Sequence, residues 1–520
     1  MRKTMAGVAA AVAVLGVGTS AWAGPAAGRT AYQVRAGHAV RVATHGQPVR
    51  YTQPAHGTVD IGADGRLRYH AAAGYTGTDS FTYTASDAVS LYRQQVPPLG
   101  TVGGVSISGE AYGSALAPAP RHRDEFYGLT DRGPNVDGPD DSKVEPLPDF
   151  APSIGLFKLR GGKAVRLRTI TLRAPDGTPY NGRVNTVADT GETITDLAGH
   201  PLAPSPYGYD PEGLVAAADG TFWVSDEYGP FVTHFDARGR QLERLSPYDG
   251  SLPAELRHRK PNKGMEGLTI TPDGHTLVGV LQSPLQVPDL TEKVKNVALT
   301  RIVTYDLRTG VSHEYPYLLH DPDQNDTAVS EITALSATRF LVDERDGAVE
   351  PGANKKLYQV DLSGATDVGP HATVPGARYD PDLGLTVDGQ SLEQLAGRHG
   401  TAETAAILTA HGITSVASTL RLDVGALTTS LGPNGQFFGH DKVEGVATTN
   451  GGRTLALSND NDFGLDGLTN DTPPYALRVK SLPTGVQDTG EYLAIDMSKV
   501  DSSTWTVPTR TVTVQVRVHR

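Results

Sequence analysis

Short stretches of alternating apolar and polar residues, separated by glycine-rich turns, recur along most of this chain. Residues 212–227 read EGLVAAADGTFWVSDE, with the strong hairpin signal Asp-Gly in the middle. The pattern predicts two antiparallel strands, Glu212 to Ala218 and Thr221 to Glu227. Because antiparallel pairing puts the start of the first strand beside the end of the second, Glu212 and Asp226 are predicted to be neighbours.

The same hairpin unit recurs several times. Further copies begin at Glu110, Glu266, Glu331 and Glu444, and their second strands end at Asp131, Gln282, Asp343 and Asn459. Another strand ending in a turn follows each copy. Three or four strands per unit, repeated at an irregular spacing of roughly 50 to 110 residues, are typical of the blades of a β-propeller. Five blades can be counted, and the degenerate stretch before Lys442 leaves room for a sixth.

The N-terminal part of the chain has a different sequence pattern. Between residues 31 and 87, short alternating stretches such as FTYT (residues 81–84) resemble the bacterial Ig-like, cadherin-like repeats of surface proteins. The last Thr/Val strand of such repeats is missing after Asp87, but TVTVQVRV occurs at residues 511–518. This predicts an insertion, with residues 31–90 and about 505–520 forming one sandwich domain.

The predicted fold class is therefore all-β: a propeller over residues 102–500 and a small Ig-like β-sandwich completed by the C-terminal strand. One alternative stays open, in which that final strand closes the last blade of the propeller. A sandwich of this kind carries no chemistry of its own, and a contact with a cell-surface polymer is the role it suggests.

The first residues have the features of a secretory signal peptide. Arg2 and Lys3 precede an apolar run, and Ala21-Trp22-Ala23 supplies the small-x-small pattern of a cleavage site. Residues 1–23 are therefore predicted to be removed, and the protein to be secreted or held at the cell surface. The run is shorter than the roughly 20 residues that a membrane span needs, and no later apolar run competes with it. No transmembrane segment is therefore expected after its removal.

Composition narrows the function classes. The 520-residue chain has no cysteine, so an exported form has neither disulfides nor thiolate metal ligands. Hard cations bound by oxygen ligands are therefore expected to help stabilise the fold. The formal net charge is -12, and no basic stripe is visible, which argues against nucleic-acid binding. The 59 glycines and 36 prolines favour turns and short strands.

The acidic ends of the hairpins are candidate metal ligands. In a propeller the first strand of every blade lines the central channel, so these ends should meet at one rim. The predicted ligands are Glu212, Glu266, Glu331 and Glu444, with Asp226, Asp343 and Asn459. Such close like charges raise each other's pKa unless a cation neutralises them, and ligands that are all oxygen suit Ca²⁺ better than zinc. The alternative is that these are strand-start and solvated turn residues.

Basic residues are predicted at the same rim. Arg132, Lys263, Arg345 and Lys442 would bind an anionic substrate, since arginine grips phosphate or carboxylate by its fork and lysine acts as a point charge. They could equally be salt-bridge partners of the acids. Asp131 and Glu227, as rim carboxylates not fully committed to an ion, are the candidate catalytic bases.

Other chemistries find little support in the sequence. Arg398-His399-Gly400 begins like the motif of histidine acid phosphatases, but Ala402 stands where that motif has a second arginine. The chain contains no Gly-x-Ser-x-Gly, which disfavours an α/β-hydrolase serine esterase. No histidines stand at zinc-ligand spacing, which weakens the case for a zinc hydrolase.

Taken together, the motifs resemble the phytase-like family of β-propellers, described by an esterase-like activity of phytase. The resembling stretches are GLTDRG at 128–133, DPEGL at 210–214, NKGMEG at 262–267 and KVEGV at 442–446. They extend over roughly residues 102–500. The resemblance implies hydrolysis of phosphate or carboxylate esters with calcium.

The leading hypothesis is an exported Ca²⁺-dependent phosphomonoesterase acting on a small anionic ester. Two alternatives stay open: a non-catalytic surface protein that binds a polymer or partner and uses calcium only as a staple, and a propeller resembling lactonases or carboxylesterases.

Overall fold

The computed structural model describes residues 29–62, 64–188, 191–320 and 322–520. The predicted signal peptide lies outside the described residues. The chain divides into two compact units. The smaller unit comprises residues up to Gly62, Arg66–Ala85 and Thr509–Arg520, and the larger consists mainly of Ser86–Pro508.

The smaller unit is a β-sandwich. Its N-terminal strands are β1 (Arg29–Arg35), β2 (Ala39–Arg41), β3 (Gln47–Tyr51), β4 (Gly57–Ile61), β5 (Leu67–Ala71) and β6 (Gly77–Ser86). The C-terminal segment Arg510–His519 runs parallel to β1 and antiparallel to β6, between the two. Its four alternate valines, Val512 to Val518, are buried in the core of the sandwich. The predicted completion of the sandwich by the C-terminal strand is therefore confirmed.

The larger unit begins with the strands of its first blade and two small additions. These are β7 (Val89–Gln95), β8 (Gly100–Val102), β9 (Val105–Ile107), β10 (Ala115–Pro118), β11 (Glu125–Leu129), β12 (Val136–Asp137), β13 (Lys143–Glu145), β14 (Ser153–Arg160), β15 (Lys163–Thr171) and β16 (Ile194–Asp196). Blade one consists of β10, β11, β14 and β15 in that order. β12, β13 and β16 form a separate small sheet, and β8 pairs with β9.

Blades two and three are simple four-stranded meanders in chain order. Blade two contains β17 (Pro211–Ala216), β18 (Phe222–Asp226), β19 (Val232–Phe235) and β20 (Gln241–Leu245). Blade three contains β21 (Met265–Ile270), β22 (Thr276–Leu281), β23 (Leu299–Asp306) and β24 (Ser312–Leu318). Turns with Asp-Gly at their centres join the first two strands of each blade, as the hairpin signal predicts.

Blade four contains an insertion before its outer strand. Its elements and their neighbours are α1 (Pro322–Asn325), β25 (Ala328–Ala334), β26 (Arg339–Arg345), β27 (Lys355–Asp361), β28 (Ala377–Asp380), β29 (Gly384–Val387), β30 (Gln390–Ser391), α2 (Leu392–Ala396), α3 (Thr401–Ala410), β31 (Ala417–Asp423) and α4 (Val424–Leu431). The blade consists of β25, β26, β27 and β31, and β28 to β30 form a small sheet in the insertion.

Blade five takes its outer strand from the start of the unit. The last strands are β32 (Val443–Thr449), β33 (Thr454–Asn459), β34 (Leu465–Leu468), β35 (Leu477–Val479), β36 (Glu491–Asp496) and β37 (Arg510–His519). The blade consists of β32, β33 and β36, with β7 antiparallel to β36 at its outer edge. In the part of the chain that the structure describes there are thus five blades, and β7 rather than the C-terminal strand completes the last one.

The inner strands β10, β17, β21, β25 and β32 contact one another in a closed ring. A β-bulge lies near the start of β17, β21, β25 and β32. A Cβ atom on Gly213 would lie 2.5 Å from the backbone nitrogen of Leu268, and one on Gly267 would lie 2.4 Å from that of Ile332. The glycine after each glutamate therefore lets neighbouring inner strands approach closely.

The remaining helical turns are short. They are 3₁₀ turns at Pro139–Asp141, Ala254–His258, Val294–Asn296, Asp462–Gly464 and Met497–Lys499. Of the helices that the structure describes, none has the length and apolar character that a membrane crossing needs.

Candidate metal centre

A cleft of about 630 Å³ lies where the inner strands of the blades begin and the second strands end. Among the described residues, twelve acidic and six basic side chains line it. Because acidic groups outnumber basic ones two to one, the cleft favours a bound cation over a bound anion at its most acidic point.

Strand register decides which residues reach the cleft. Pro211 pairs with Asp226 in blade two, and the equivalent partners in the next three blades are Leu281, Glu344 and Asn459. The residues that follow these partners line the cleft: Glu227, Gln282, Arg345 and Asp460. At the bulges of the inner strands, the equivalent residues are Glu212, Glu266, Ser330 and Glu444.

Three carboxylates of these two sets converge. One oxygen each from Glu212, Glu227 and Glu266 lies within 4.8 Å of the other two. All three residues are buried, and the Oε2 atoms of Glu227 and Glu266 have no hydrogen-bond partner among the described residues. Two Ca²⁺–oxygen bonds of about 2.4 Å can bridge oxygens up to this limit, and orphaned carboxylate oxygens are what a hard cation binds. The residues therefore fit a divalent cation with oxygen ligands.

The protonation of this cluster reflects its burial. Burial raises the pKa of Glu212 and of Glu227 well above the usual range, and the neighbouring carboxylates raise both pKa values further. Burial, with a contribution from Glu444, raises the pKa of Glu266 to about 7. The cluster thus needs either protons or a cation to compensate its charge near neutral pH.

A glutamine links two of the three glutamates. The Nε2 atom of Gln282 donates to Oε1 of Glu227 at 3.0 Å and to Oε1 of Glu266 at 2.9 Å. Its Oε1 atom accepts a hydrogen bond from Nζ of Lys263 at 2.5 Å. The amide of blade three therefore connects a carboxylate of blade two with one of its own blade.

Two of the predicted ligands serve the backbone instead. The carboxylate of Asp226 accepts hydrogen bonds from the backbone N–H groups of Asp210, Tyr228 and Gly229. The amide of Asn459 accepts from the backbone N–H of Glu491 and donates to a backbone carbonyl. Asp226 and Asn459 end their strands one residue before the position that reaches the cleft.

Glu331 and Asp343 lie elsewhere in blade four. Glu331 follows the bulged residue Ser330, at the position that glycine occupies in blades two, three and five, and accepts hydrogen bonds from the backbone N–H groups of Leu268 and Ile332. It lines a separate cavity of about 220 Å³. Asp343 pairs with Glu331 in register, is buried, and has no hydrogen-bond partner for either oxygen within the described residues. The structure thus separates both from the three-glutamate cluster.

All four predicted basic residues line the cleft, and each contacts polar side chains there. Arg345 donates to Oγ of Ser330 at 2.8 Å and forms an ion pair with Glu444. Lys442 donates to Asp460 at 3.1 Å and to Asp462 at 2.6 Å.

Arg132 is the most deeply buried of the four basic residues. The guanidinium of Arg132 donates to Glu192 and to Asn135, each at 3.1 Å, and lies 5.0 Å from the centre of the Tyr228 ring. With only 3% of its surface exposed, Arg132 is part of the cleft wall. Lys442, whose side chain is 32% exposed, is more accessible to a ligand.

Asp131 lines the cleft outside the three-glutamate cluster. Its Oδ1 accepts a hydrogen bond from the backbone N–H of Gly133 at 2.9 Å. Burial, and then the nearby carboxylates of Asp460 and Asp210, raise its pKa well above the usual range. Sequence reasoning did not single out Asp210 or Asp460 as site residues. The signal for Asp460 is its position after Asn459, which matches that of Glu227 after Asp226.

These features define a five-bladed propeller with an acidic cleft at one end of its channel. The chain matches the Phytase-like family, described as "Esterase-like activity of phytase", over residues 111–463, and the bacterial Ig domain over residues 23–96. The chain therefore belongs to the Phytase-like family, and its N-terminal part carries a bacterial Ig domain. The resemblance seen in the motifs is confirmed.

Similarity to individual proteins is more limited. A protein of Arthroderma benhamiae, named an uncharacterized secreted protein, is 31% identical over an alignment of 230 positions, which covers 35% of this chain and 45% of that protein. The chain thus spans less than half the length of this curated relative.

Solved structures with related shapes include a protein from Lactobacillus plantarum, with 12% identity, TM-score 0.29 and coverage of 84% of this chain and 100% of that chain. An α-L-arabinofuranosidase from Podospora anserina has 9% identity, TM-score 0.31 and coverage of 78% and 97%. At such scores, neither likeness supports a conclusion about the site.

Proposed function

We propose that this protein is an exported, Ca²⁺-dependent ester hydrolase that acts on small phosphomonoesters. The observation that carries the proposal is the cluster of Glu212, Glu227 and Glu266, with two orphaned buried oxygens. Glu212 and Glu227 of this cluster line a cleft that basic side chains also line. Membership of the Phytase-like family supports ester hydrolysis. The signal-like residues 1–23 and the secreted fungal relative support export.

The three glutamates would hold the cation. A set of three carboxylates without nitrogen or sulfur ligands suits Ca²⁺, a hard cation that binds oxygen ligands in a flexible geometry. When bound, Ca²⁺ would polarise a phosphoryl oxygen and lower the pKa of a coordinated water. Glu227, predicted from the sequence as a base, becomes a ligand in this arrangement.

Arg345 and Lys442 would contact the anionic group of the substrate. Both line the cleft, and each can exchange a carboxylate partner for a phosphate oxygen. Arginine binds phosphate through two N–H groups, and lysine binds it through the charge of its ammonium group. The strongly polar lining of the cleft suits a small, charged substrate better than an apolar ester.

Asp131 would act as the general base. It lines the same cleft without belonging to the three-glutamate cluster, and burial with the neighbouring carboxylates raises its pKa, which makes it a stronger base than an ordinary aspartate. Its hydrogen bond from Gly133 fixes one oxygen, so that the other remains to take a proton from an attacking water.

Hydrolysis of para-nitrophenyl phosphate and para-nitrophenyl acetate by the purified chain tests the proposal. We expect phosphatase turnover with Ca²⁺ that a chelator abolishes. Glu266→Gln should lower turnover at least about 100-fold, because it removes a charged ligand, whereas the matched variant Glu331→Gln should retain activity. Calcium-independent turnover would contradict the metal requirement.

The cluster also supports a second candidate, a binding protein that uses Ca²⁺ as a staple. Glu212 and Glu227 belong to blade two and Glu266 to blade three, so that a shared cation would join two blades. If no ester is hydrolysed while Ca²⁺ still raises the melting temperature, this second function is the correct one.

A further inference from the structure

The side chain of Gln282 occupies a position between carboxylates that an ion would need. It follows β22 in blade three, is 6% exposed, and its Nε2 atom donates to both Glu227 and Glu266. An amide nitrogen carries two N–H groups, so that these two hydrogen bonds use its full donor capacity. Gln282 therefore engages the Oε1 atoms of both glutamates at once.

Lys263 decides which way this amide points. An ammonium group can only donate hydrogen bonds, so the amide atom 2.5 Å from Nζ of Lys263 must be the carbonyl oxygen Oε1. The opposite orientation would place an amide N–H₂ against an ammonium, and would place a carbonyl oxygen against two carboxylates without a donor between them. The lysine thus fixes the direction in which Gln282 donates.

The consequence is visible at the glutamates. With both Oε1 atoms held by one amide, the Oε2 atoms of Glu227 and Glu266 are left buried and without a hydrogen-bond partner among the described residues. The two carboxyl groups also face each other, so that these oxygens can bind a cation together once both groups are deprotonated. Groups that are hydrogen-bonded to metal ligands commonly raise the affinity of a site for its metal, because they fix the orientation of the ligands.

We propose that Lys263 and Gln282 form a positioning pair that orients Glu227 and Glu266 for a divalent cation. This inference rests on the proposed function, because it concerns the same cation site. It assigns Lys263 to the support of the ligands rather than to the substrate. The chain of contacts runs from Nζ of Lys263 through the amide of Gln282 to the two carboxylates.

Lys260 offers a matched control. It lines the same cleft, but the described structure shows no hydrogen bond between it and Gln282. Removing either ammonium takes one positive charge from the surroundings of the cation, and by Coulomb's law that change alone strengthens cation binding. Loss of orientation weakens binding instead, so that the difference between Lys263→Met and Lys260→Met isolates the hydrogen bond to Gln282.

Isothermal titration of the full chain with CaCl₂, after chelation and dialysis, provides the test. We expect Lys263→Met and Gln282→Leu to bind Ca²⁺ about 10-fold or more weakly than the unchanged protein, as losses of such supporting groups typically do. Lys260→Met should bind no more weakly than the unchanged protein. Lys263→Arg, which keeps a donor at this position, should recover most of the affinity.

Two results would overturn the inference in distinguishable ways. Equal affinities for Lys263→Met and Lys260→Met, with Ca²⁺ binding to the unchanged protein intact, would remove the positioning pair and leave the proposed function standing. An unchanged protein that binds no Ca²⁺ would overturn both. Circular dichroism in chelator checks folding, and should Gln282→Leu fail to fold, the comparison of the three lysine variants decides.

Discussion

Arg345 on β26 and Glu444 on β32 form an ion pair that joins the fourth and fifth blades at the cleft. Both side chains are mostly buried, and Nε of Arg345 also donates to Ser330. The pair therefore combines two duties: it closes the ring of blades and it keeps a guanidinium at the wall of the proposed substrate site. The first role predicts an effect of mutation on stability, and the second predicts an effect on substrate affinity.

Loss of the Arg345 guanidinium should reduce both stability and substrate affinity. In Arg345→Met, Glu444 is left as a buried carboxylate without its cation, which costs about 3 kcal/mol of unfolding free energy. Urea unfolding of Arg345→Met, Glu444→Gln and the double variant measures the coupling. We expect the double variant to recover part of the loss, while KM for para-nitrophenyl phosphate stays raised in both variants that lack Arg345. Additive losses in the double variant would contradict the pairing.

Adjacent acidic residues should respond differently to neutralisation. Glu227→Gln should weaken Ca²⁺ binding at least about 10-fold, since it removes the charge of a proposed ligand. Asp226→Asn should leave Ca²⁺ affinity unchanged and lower the unfolding free energy by about 1–2 kcal/mol, because Asp226 accepts three backbone N–H groups. Titration calorimetry and thermal melts measure the two quantities. A loss of Ca²⁺ binding in Asp226→Asn alone would place the ligand set one residue earlier.

The buried carboxyl of Asp343 should destabilise the fold as the pH rises. Burial raises its pKa well above the usual value, so the stability present at acidic pH is lost as the pH rises toward the folded-state pKa. Ser225 occupies the equivalent position in blade two, one residue before Asp226, as Asp343 lies one residue before Glu344. Asp343→Ser should therefore increase the unfolding free energy by about 1–3 kcal/mol near pH 8 and by less at pH 5. Loss of Ca²⁺ binding in this variant would show that Asp343 is a ligand after all.

The imidazole of His440 should make stability fall at alkaline pH. Burial lowers its pKa, but ion pairs with Asp488 and Glu491 outweigh this and raise the pKa to about 9. Arg93 also forms an ion pair with Glu491. A folded-state pKa above the unfolded value of 6.5 contributes stability that is fully present below pH 6.5 and lost as the pH rises through about 9, roughly 3 kcal/mol in total. Urea unfolding between pH 6 and pH 10 measures this loss, and His440→Gln should show a flatter profile.

The C-terminal strand should be essential to the sandwich. Val514 is fully buried between β1 and β6, whereas its neighbour Gln515 is exposed. Val514→Asp places an unpaired charge in an apolar core and should unfold the smaller unit, while Gln515→Asp should be tolerated within about 0.5 kcal/mol. Limited proteolysis followed by mass spectrometry checks both variants. Equal resistance to protease in the two variants would contradict the role of this strand.

Much of the fold follows from local sequence pattern. Alternation of apolar and polar residues with Asp-Gly turns predicts the hairpins β17–β18 and β21–β22, because side chains on a strand point alternately to its two faces. The alternating valines of residues 511–518 predict a strand with one buried face, and the missing last strand of the sandwich indicates its partner. Repetition of the hairpin indicates a propeller, since each unit must bury its faces against the next.

Which acidic side chains converge is decided by the tertiary structure alone. A bulge near the start of the inner strands β17, β21, β25 and β32 shifts the register. As a result Glu227 rather than Asp226 reaches the cleft, and Ser330 rather than Glu331 takes the glutamate position in blade four. The amide of Gln282 meets Glu227 across two blades, a contact between residues 55 positions apart.

Alternation along a strand is a local property, and the sequence determines it position by position. Convergence at a channel depends on where the chain bulges and on how closely neighbouring blades approach, and both result from packing among distant segments. The sequence therefore determines the strands, their faces and the kind of ligand atoms this protein carries, whereas only the packing of the five blades decides which of those atoms can share one ion.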